Sequence, residues 1–372
     1  MCLFPGITCL AIFLPYFWLL CMPLYGSFSG TEPVVRFSLM MQFQAIIMSA
    51  FPVGLVSFIP CLELVTLCVL MCLPVSLTPF PVVWLYDKLL WLSEPVWMLT
   101  EVLIPLEWAM AMSQKAVDRL DEEPTNLAKG MILGLSTLCY AVVLYFGIEL
   151  YRLYSDSTLT VCMLCILLAL SVLCHIMMWK VDEGIIVDAA FVSVFSMLFL
   201  YCYHIERVIL QNPLPKPDTW KRIEGSISYL GLLYSFTNAS LLNANRAMQF
   251  MKKLFSPVFV LFSLLRLFSV LTAVGIVVRK GSDQEEECDM GDDRFEMHFD
   301  SLIRKSPVVV RLSVIFVYTQ LVTHHLQSAV IEPAVGTYAL PLMNTARISQ
   351  ALLIQGIYLY KMCNQYRDEN AE

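Results

Sequence analysis

Long apolar runs, each about as long as a lipid bilayer is thick, recur along the whole of this 372-residue chain. A membrane-spanning helix needs roughly 20 consecutive, mostly apolar residues, and about nine runs meet that length. Hydrophobic residues make up 58% of the chain and charged residues only 15%, so the apolar runs dominate the sequence. The fold class predicted is all-α, a polytopic transmembrane helical bundle of about nine or ten spans. The runs cover 7–25, 37–59, 61–86, 127–150, 158–179, 185–203, 258–278, 307–330 and 340–360.

Composition also narrows the architecture. So many spans leave little chain for a separate soluble domain, and we predict a single transmembrane helical domain over 1–372. The first run lacks a basic start and contains Pro15 and Pro23, so we interpret it as a retained span and not as a signal peptide. Nearly all of the 13 cysteines lie inside apolar runs, where they are expected to pack as small apolar residues.

The stretch 88–120 does not fit the simple pattern of a span. It is apolar and rich in tryptophan, yet it carries Glu94, Glu101 and Glu107 together with Pro105. A lone charged side chain at the centre of a membrane helix costs about 2.5 to 3.5 kcal/mol. We therefore predict an interfacial or re-entrant hairpin here. The prolines of the preceding apolar run predict that it is kinked or partly unwound.

A long amphipathic helix is predicted at 222–255, where an apolar stripe recurs every third or fourth residue beside a polar face. The surrounding linker is rich in Lys and Arg, which places it in the cytosol or at the cytosolic interface. Lys252 and Lys253 fall where lipid head groups would lie. The acidic loop at 279–306 is then lumenal, and it lacks the alternating oxygen ligands and fixed glycine of a calcium loop.

Two charged residues inside apolar runs are candidate functional residues. Arg266 lies midway along its run, and Asp188 lies near the start of another. Two interpretations stay open: an intramembrane ion pair between Asp188 and Arg266, or a guanidinium that binds a lipid phosphate through both of its nitrogens. The predicted lipid-binding set is Arg266, Arg347, Lys252 and Lys253.

An enzyme and a transporter are the alternatives. His324 and His325 lie inside an apolar run, where a histidine can serve as a base. Against catalysis, the sequence shows no histidine box, nucleophile elbow or phosphate-cradling glycine loop. We find no internal repeat, which weakens a transporter built on Asp188. No metal site is predicted, because Cys162 and Cys165 have no neighbouring ligands.

Two stretches of the latter half of the chain form a combined pattern: Ser256-Pro257-Val258 leads into the run with Arg266, and Ala190-Phe191 to Tyr203 is followed by Glu206. In these stretches the chain resembles a known family, the fungal inheritance-of-cortical-ER proteins. The similarity is weaker around Glu94 to Asp118. The chain is also similar to the Spigot-type accessory subunits of very long, bridge-like lipid-transfer proteins.

The resemblance implies a multi-pass protein of the endoplasmic reticulum membrane with a role in phospholipid supply and ER shape. It implies no catalytic set, and it carries over only Ser256, Pro257 and Arg266, as a structural signature. We therefore expect a non-enzymatic protein that assists phospholipid transfer and lipid homeostasis, with a lipid-modifying enzyme or a solute transporter as alternatives. The expected partners are membrane lipids, a large bridge-like lipid-transfer protein and other membrane subunits. No nucleic acid and no cofactor are expected, apart from phospholipid as bound ligand or cargo.

Overall fold

A computed structural model of the chain gives the fold as a set of helices. In the part of the chain that it describes, no strand forms, and the all-α prediction is confirmed. The described residues are 29–51, 62–122, 126–154, 157–181, 185–211, 228–231, 257–282, 307–329 and 339–369, with positions 19, 21, 22, 25, 26, 234, 248, 249 and 252. The helices are α1 (Thr31–Ala50), α2 (Leu62–Cys72), α3 (Phe80–Glu122), α4 (Asn126–Tyr154), α5 (Thr158–Met178), α6 (Ile186–Gln211), α7 (Pro257–Ser282), α8 (Pro307–Ala329) and α9 (Ala339–Glu369).

Prolines mark the starts of several helices. Pro81 is the second residue of α3, and Pro257 and Pro307 are the first residues of α7 and α8. Proline suits the first turn because its fixed φ is helical and its missing N–H would have no partner there. Pro257 thus begins the helix that contains the predicted span at 258–278. Before α1 the chain turns at Gly30, whose φ of 96° is a conformation that glycine adopts without strain.

Five of the described helices are long and apolar enough to cross a membrane. By length and composition these five helices indicate a helical membrane protein, and the predicted count of nine or ten spans is not confirmed by the described residues. Four of them coincide with predicted spans, and the fifth lies in α3. The apolar part of α8, Val308–His324, is shorter, and α9 is longer but interrupted by polar residues. The five are Phe80–Leu120, Lys129–Tyr154, Thr158–Met178, Ile186–Val208 and Val260–Val277.

Helix α3 corrects the prediction for 88–120. The structure contains neither a re-entrant hairpin nor a break there, but one continuous helix of 43 residues. At roughly 1.5 Å per residue it is about 65 Å long, about twice the hydrocarbon thickness of a bilayer. The glutamates that argued against a span are tolerated because other helices supply partners for them.

The described helices fall into two compact units. Unit 1 takes its residues from Met1–Trp97, Ile209–Gly291 and Glu296–Gly336, and unit 2 mainly from Met98–Val208 and Thr337–Glu372. In unit 1, α8 packs against α1 and α7, and α1 also packs against α2. In unit 2, α5 packs against α4 and α9. The first part of α3 belongs to unit 1 and the rest to unit 2.

Most of the predicted amphipathic helix at 222–255 and of the acidic loop at 279–306 lies outside the described residues, as does most of the first run. Near the start of the amphipathic stretch, Tyr229 contacts the segment that follows α2, also in unit 1. The Tyr229 N–H donates to the Leu73 carbonyl at 3.3 Å, and the two hydroxyls of Tyr229 and Thr78 lie 3.2 Å apart. Tyr229 is buried, whereas Tyr234 and Met248 on the predicted apolar stripe are exposed.

Candidate functional site

The most unusual feature of the bundle is a set of charged side chains buried along α3. Glu94 and Glu101 lie seven residues apart, which is two helical turns, so they share one face of the helix. The side chain of Glu101 is fully buried, and that of Glu94 is 10% exposed. Each carboxylate meets an arginine from another helix, one in each unit.

In unit 1, Glu94 is held by Arg266 of α7 in a two-pronged ion pair. Nη1 donates to Oε2 at 3.0 Å and Nη2 donates to Oε1 at 2.9 Å, while the arginine itself is only 1% exposed. Gln320 of α8 completes the group, because its Nε2 donates to Glu94 Oε2 at 2.6 Å and to the Leu90 carbonyl at 2.8 Å. The Glu94–Arg266–Gln320 triad therefore joins three helices of unit 1.

Unit 2 contains a second group of this kind, the Glu101–Arg347–Gln350 triad, to which Glu206 adds a second carboxylate. Arg347 of α9 donates from Nη1 to Glu101 Oε2 at 3.1 Å and from Nε to Glu206 Oε1 of α6 at 3.2 Å. Gln350, one turn further along α9, donates from Nε2 to Glu101 Oε2 and to the Met98 carbonyl, both at 2.9 Å. Its Oε1 accepts from Arg347 Nη1, also at 2.9 Å.

The two triads follow one physical plan. An arginine supplies the opposite charge, and a glutamine bonds both the carboxylate and a backbone carbonyl three or four residues earlier on α3. An ion pair inside an apolar medium recovers its desolvation cost only when geometry is good and the remaining polar atoms are bonded. The glutamines supply part of that bonding, because each Nε2 donates to a glutamate oxygen, while Gln320 Oε1 is buried with no hydrogen-bond partner among the described residues. Breaking either pair would leave an uncompensated charge in the bundle.

Two further ion pairs are more exposed. Lys361 binds Glu107 in unit 2, with side chains 30% and 39% exposed, and Arg311 binds Glu63 in unit 1 at 2.8 Å. Exposed pairs typically contribute about 0 to 1 kcal/mol, because solvent screens them and ordering two long side chains costs entropy. These pairs therefore contribute less to the bundle than the triads do.

Arg266 pairs with a different residue from the one predicted. Its partner is the carboxylate of Glu94, whereas Asp188 is hydrogen-bonded to the hydroxyl of Ser113. The hypothesis of an ion pair between Asp188 and Arg266 is corrected accordingly. The broader expectation, that a cation in an apolar run has a partner of opposite sign on another helix, agrees with the geometry.

Other residues selected from the sequence are placed as follows. Arg347, predicted to bind lipid, is 4% exposed and bonded to two carboxylates. Lys252 is exposed, and Lys253 lies outside the described residues. His324 is partly buried within α8, and the structure does not describe the side chain of His325.

Sequence reasoning missed the partners of the glutamates. Polar residues that interrupt the last apolar run are a signal of packing against neighbouring helices, and Gln350 packs in that way. Gln320 gave a similar signal, an amide in the middle of an apolar run, and went unused. Glu206 was noted only for the family resemblance.

The chemistry available at this site is that of charge neutralisation. The described nitrogens of Arg266 and Arg347 are directed at carboxylates, and no group of three or more His, Cys, Asp or Glu residues within the described ranges could hold a metal ion. The triads thus fix helices in place and present no assembled catalytic set in the part of the chain described. No family model, curated protein or solved structure matches the chain.

Proposed function

We propose that this chain is a non-enzymatic, multi-pass protein of the endoplasmic reticulum membrane that assists phospholipid transfer as an accessory subunit of a bridge-like lipid-transfer protein complex. The observation that supports it best is the pair of arginine–glutamate–glutamine triads. In these triads, buried charged side chains bond to one another and hold the helices together. A bundle of this kind suits a scaffold whose work is done at its surface.

The buried triad of unit 1 makes that part of the bundle rigid. The Glu94–Arg266–Gln320 triad connects α3, α7 and α8 within unit 1, and the arginine is almost inaccessible. A polar route for a solute through the bundle would need groups that can exchange partners. In this triad both oxygens of the carboxylate and both terminal nitrogens of the guanidinium are already bonded.

Helix α4 presents an apolar outer surface. Helix α4 buries Ser136, Val143 and Leu150, which lie two turns apart on one face, and exposes large apolar residues elsewhere. A helix with one packed face and a broad apolar face is suited to lipid or to a neighbouring membrane subunit. The exposed members include Leu133, Leu138, Leu144, Tyr145 and Ile148.

The cations available to anionic lipid head groups are surface lysines. Because Arg266 and Arg347 are occupied by carboxylates, we propose that they act structurally. The contact with anionic head groups then belongs to the exposed Lys252, with Lys253 as its neighbour in sequence. Surface lysines near a membrane attract anionic lipid with about 1 kcal/mol each, so this contact would be weak and additive.

The test uses the full-length chain with an affinity tag, purified from cell membranes in a mild detergent. We expect a very long lipid-transfer protein to co-purify in stoichiometric amount together with phospholipid. Depleting the chain from cells should slow phospholipid delivery out of the endoplasmic reticulum. Re-expressing the wild type or the control variant Lys180→Met, which changes an exposed lysine outside the triads, should restore the rate.

Three results would contradict the proposal. The first is a delivery rate that does not change on depletion. The second is lipid turnover by the purified chain that is lost in the His324→Ala or His325→Ala variant, which would favour an enzyme. The third is ion-coupled uptake of a solute that is lost in Asp188→Asn, which would favour a transporter.

A further inference from the structure

Among the buried carboxylates that the structure describes, Asp188 differs from Glu94 and Glu101 in having no ion-pair partner. It lies in the first turn of α6 and is 5% exposed, within a helix apolar enough to cross a membrane. In the described part of the chain, no Lys or Arg lies within ion-pairing distance of it, whereas Glu94, Glu101 and Glu107 each have one. Its hydrogen-bond partner is the hydroxyl of Ser113 on α3.

The Ser113 hydroxyl has two possible hydrogen-bond acceptors. The Ser113 oxygen lies 2.9 Å from the Met110 carbonyl and also contacts Asp188 Oδ1. A serine hydroxyl has one proton, so it can make a linear hydrogen bond to only one of these two acceptors. Both contacts are satisfied when Ser113 donates to Met110 and the carboxyl group of Asp188 donates its own proton to Ser113.

The groups that face Asp188 from the other helices do not neutralise it. Lys361 of α9 lies within electrostatic range of Asp188, but it is bonded to Glu107 of α3. Tyr358 of α9 also lies within electrostatic range and is fully buried, and its hydroxyl has no hydrogen-bond partner among the described residues. Two further neighbours of Tyr358 are Cys174 of α5 and Tyr140 of α4, neither of which carries a positive charge.

The start of α6 offers only partial compensation for a negative charge. The free N–H groups and the dipole at a helix N-terminus favour an anion, but by less than the cost of burying an unpaired carboxylate. A buried acid with no counter-charge normally avoids that cost by taking up a proton.

We propose that Asp188 is an intramembrane proton-binding site. One proton passes reversibly between water and the carboxylate, and no other bond is made or broken. When the proton leaves, the nearest available counter-charge is Lys361, which would have to leave Glu107. Proton release at Asp188 is thereby coupled to the contact between α3 and α9 in unit 2.

The test is infrared spectroscopy on the full-length chain in detergent micelles at pH 7, with aspartate carboxyl groups labelled with carbon-13. We expect a C=O stretching band of a protonated carboxylic acid that moves on labelling and disappears in Asp188→Asn. In Ser113→Ala the band should persist at a shifted frequency, because its hydrogen-bond acceptor is gone. The labelled wild type alone tests the proposal even if a variant fails to fold.

Stability provides a second measurement with a matched control. Asp188→Asn replaces one neutral group by another of the same shape and should leave the unfolding temperature close to that of wild type. Glu94→Gln replaces an ionised partner of Arg266 and should lower it clearly. The proposal is overturned if the labelled wild type shows no acid band at pH 7, if the band frequency ignores Ser113→Ala, or if Asp188→Asn is as unstable as Glu94→Gln.

Discussion

Replacing the charged partners of the first triad, singly and together, gives a direct measure of what holds unit 1 together. The changes are Glu94→Met, Arg266→Met and the double variant, since methionine is unbranched, close in length and adaptable in packing. Either single change leaves one buried charge without its counter-charge. Removing one partner of a buried ion pair typically costs about 3 to 5 kcal/mol.

The structure puts this case near the upper part of that range. The Arg266 guanidinium is 1% exposed, and both of its terminal nitrogens donate to Glu94, at 2.9 and 3.0 Å, so water cannot easily replace the lost partner. In the double variant no charge remains, and Gln320 keeps its 2.8 Å bond to the Leu90 carbonyl. Replacing both partners by apolar residues is often neutral or stabilising. We therefore expect a coupling energy of about 3 kcal/mol or more between the two positions.

The assay is reversible unfolding of the purified chain in mixed detergent micelles, followed by loss of helical circular dichroism. A useful intermediate is Arg266→Lys, which keeps the charge but cannot make the two-pronged contact, so its loss should fall between wild type and Arg266→Met. If the double variant is as unstable as the sum of the two singles, the ion pair does not stabilise the fold. That result would return Arg266 to the alternative role of binding a lipid phosphate.

Two more predictions use matched pairs within the chain. Arg347→Met should lower the unfolding free energy by about 3 to 5 kcal/mol, because it leaves Glu101 buried without its counter-charge. Lys361→Met removes one partner of the more exposed Lys361–Glu107 pair and should cost about 1 kcal/mol or less. Equal losses in the same unfolding assay would contradict this assignment. Gly26→Ala should lower the unfolding free energy by about 1 to 3 kcal/mol, because the added methyl would lie 2.3 Å from Leu326 Cδ1. Gly130→Ala places its methyl in open space and should be neutral or slightly stabilising. A comparison of the two unfolding midpoints checks both expectations.

The contrast between α7 and α3 explains how far the sequence could be used. In α7 the apolar run, the opening Pro257 and the single internal charge all agree with a membrane helix, and the helix forms there. In α3 the three glutamates and Pro105 conflict with the apolar background, and the prediction of a hairpin was wrong. The insertion cost used to reject a span applies to a lone charge, and these charges are not alone.

What the sequence by itself determined is where the chain is apolar enough to form membrane helices, because that property depends only on residues close together in the chain. What only the tertiary structure decided is which charges meet. Glu94 and Arg266 are 172 residues apart, and Glu101 and Arg347 are 246 apart, so no local pattern links them. Whether a glutamate in an apolar run breaks a span or fastens it depends on the helix packed against it, and that partner is chosen by the fold.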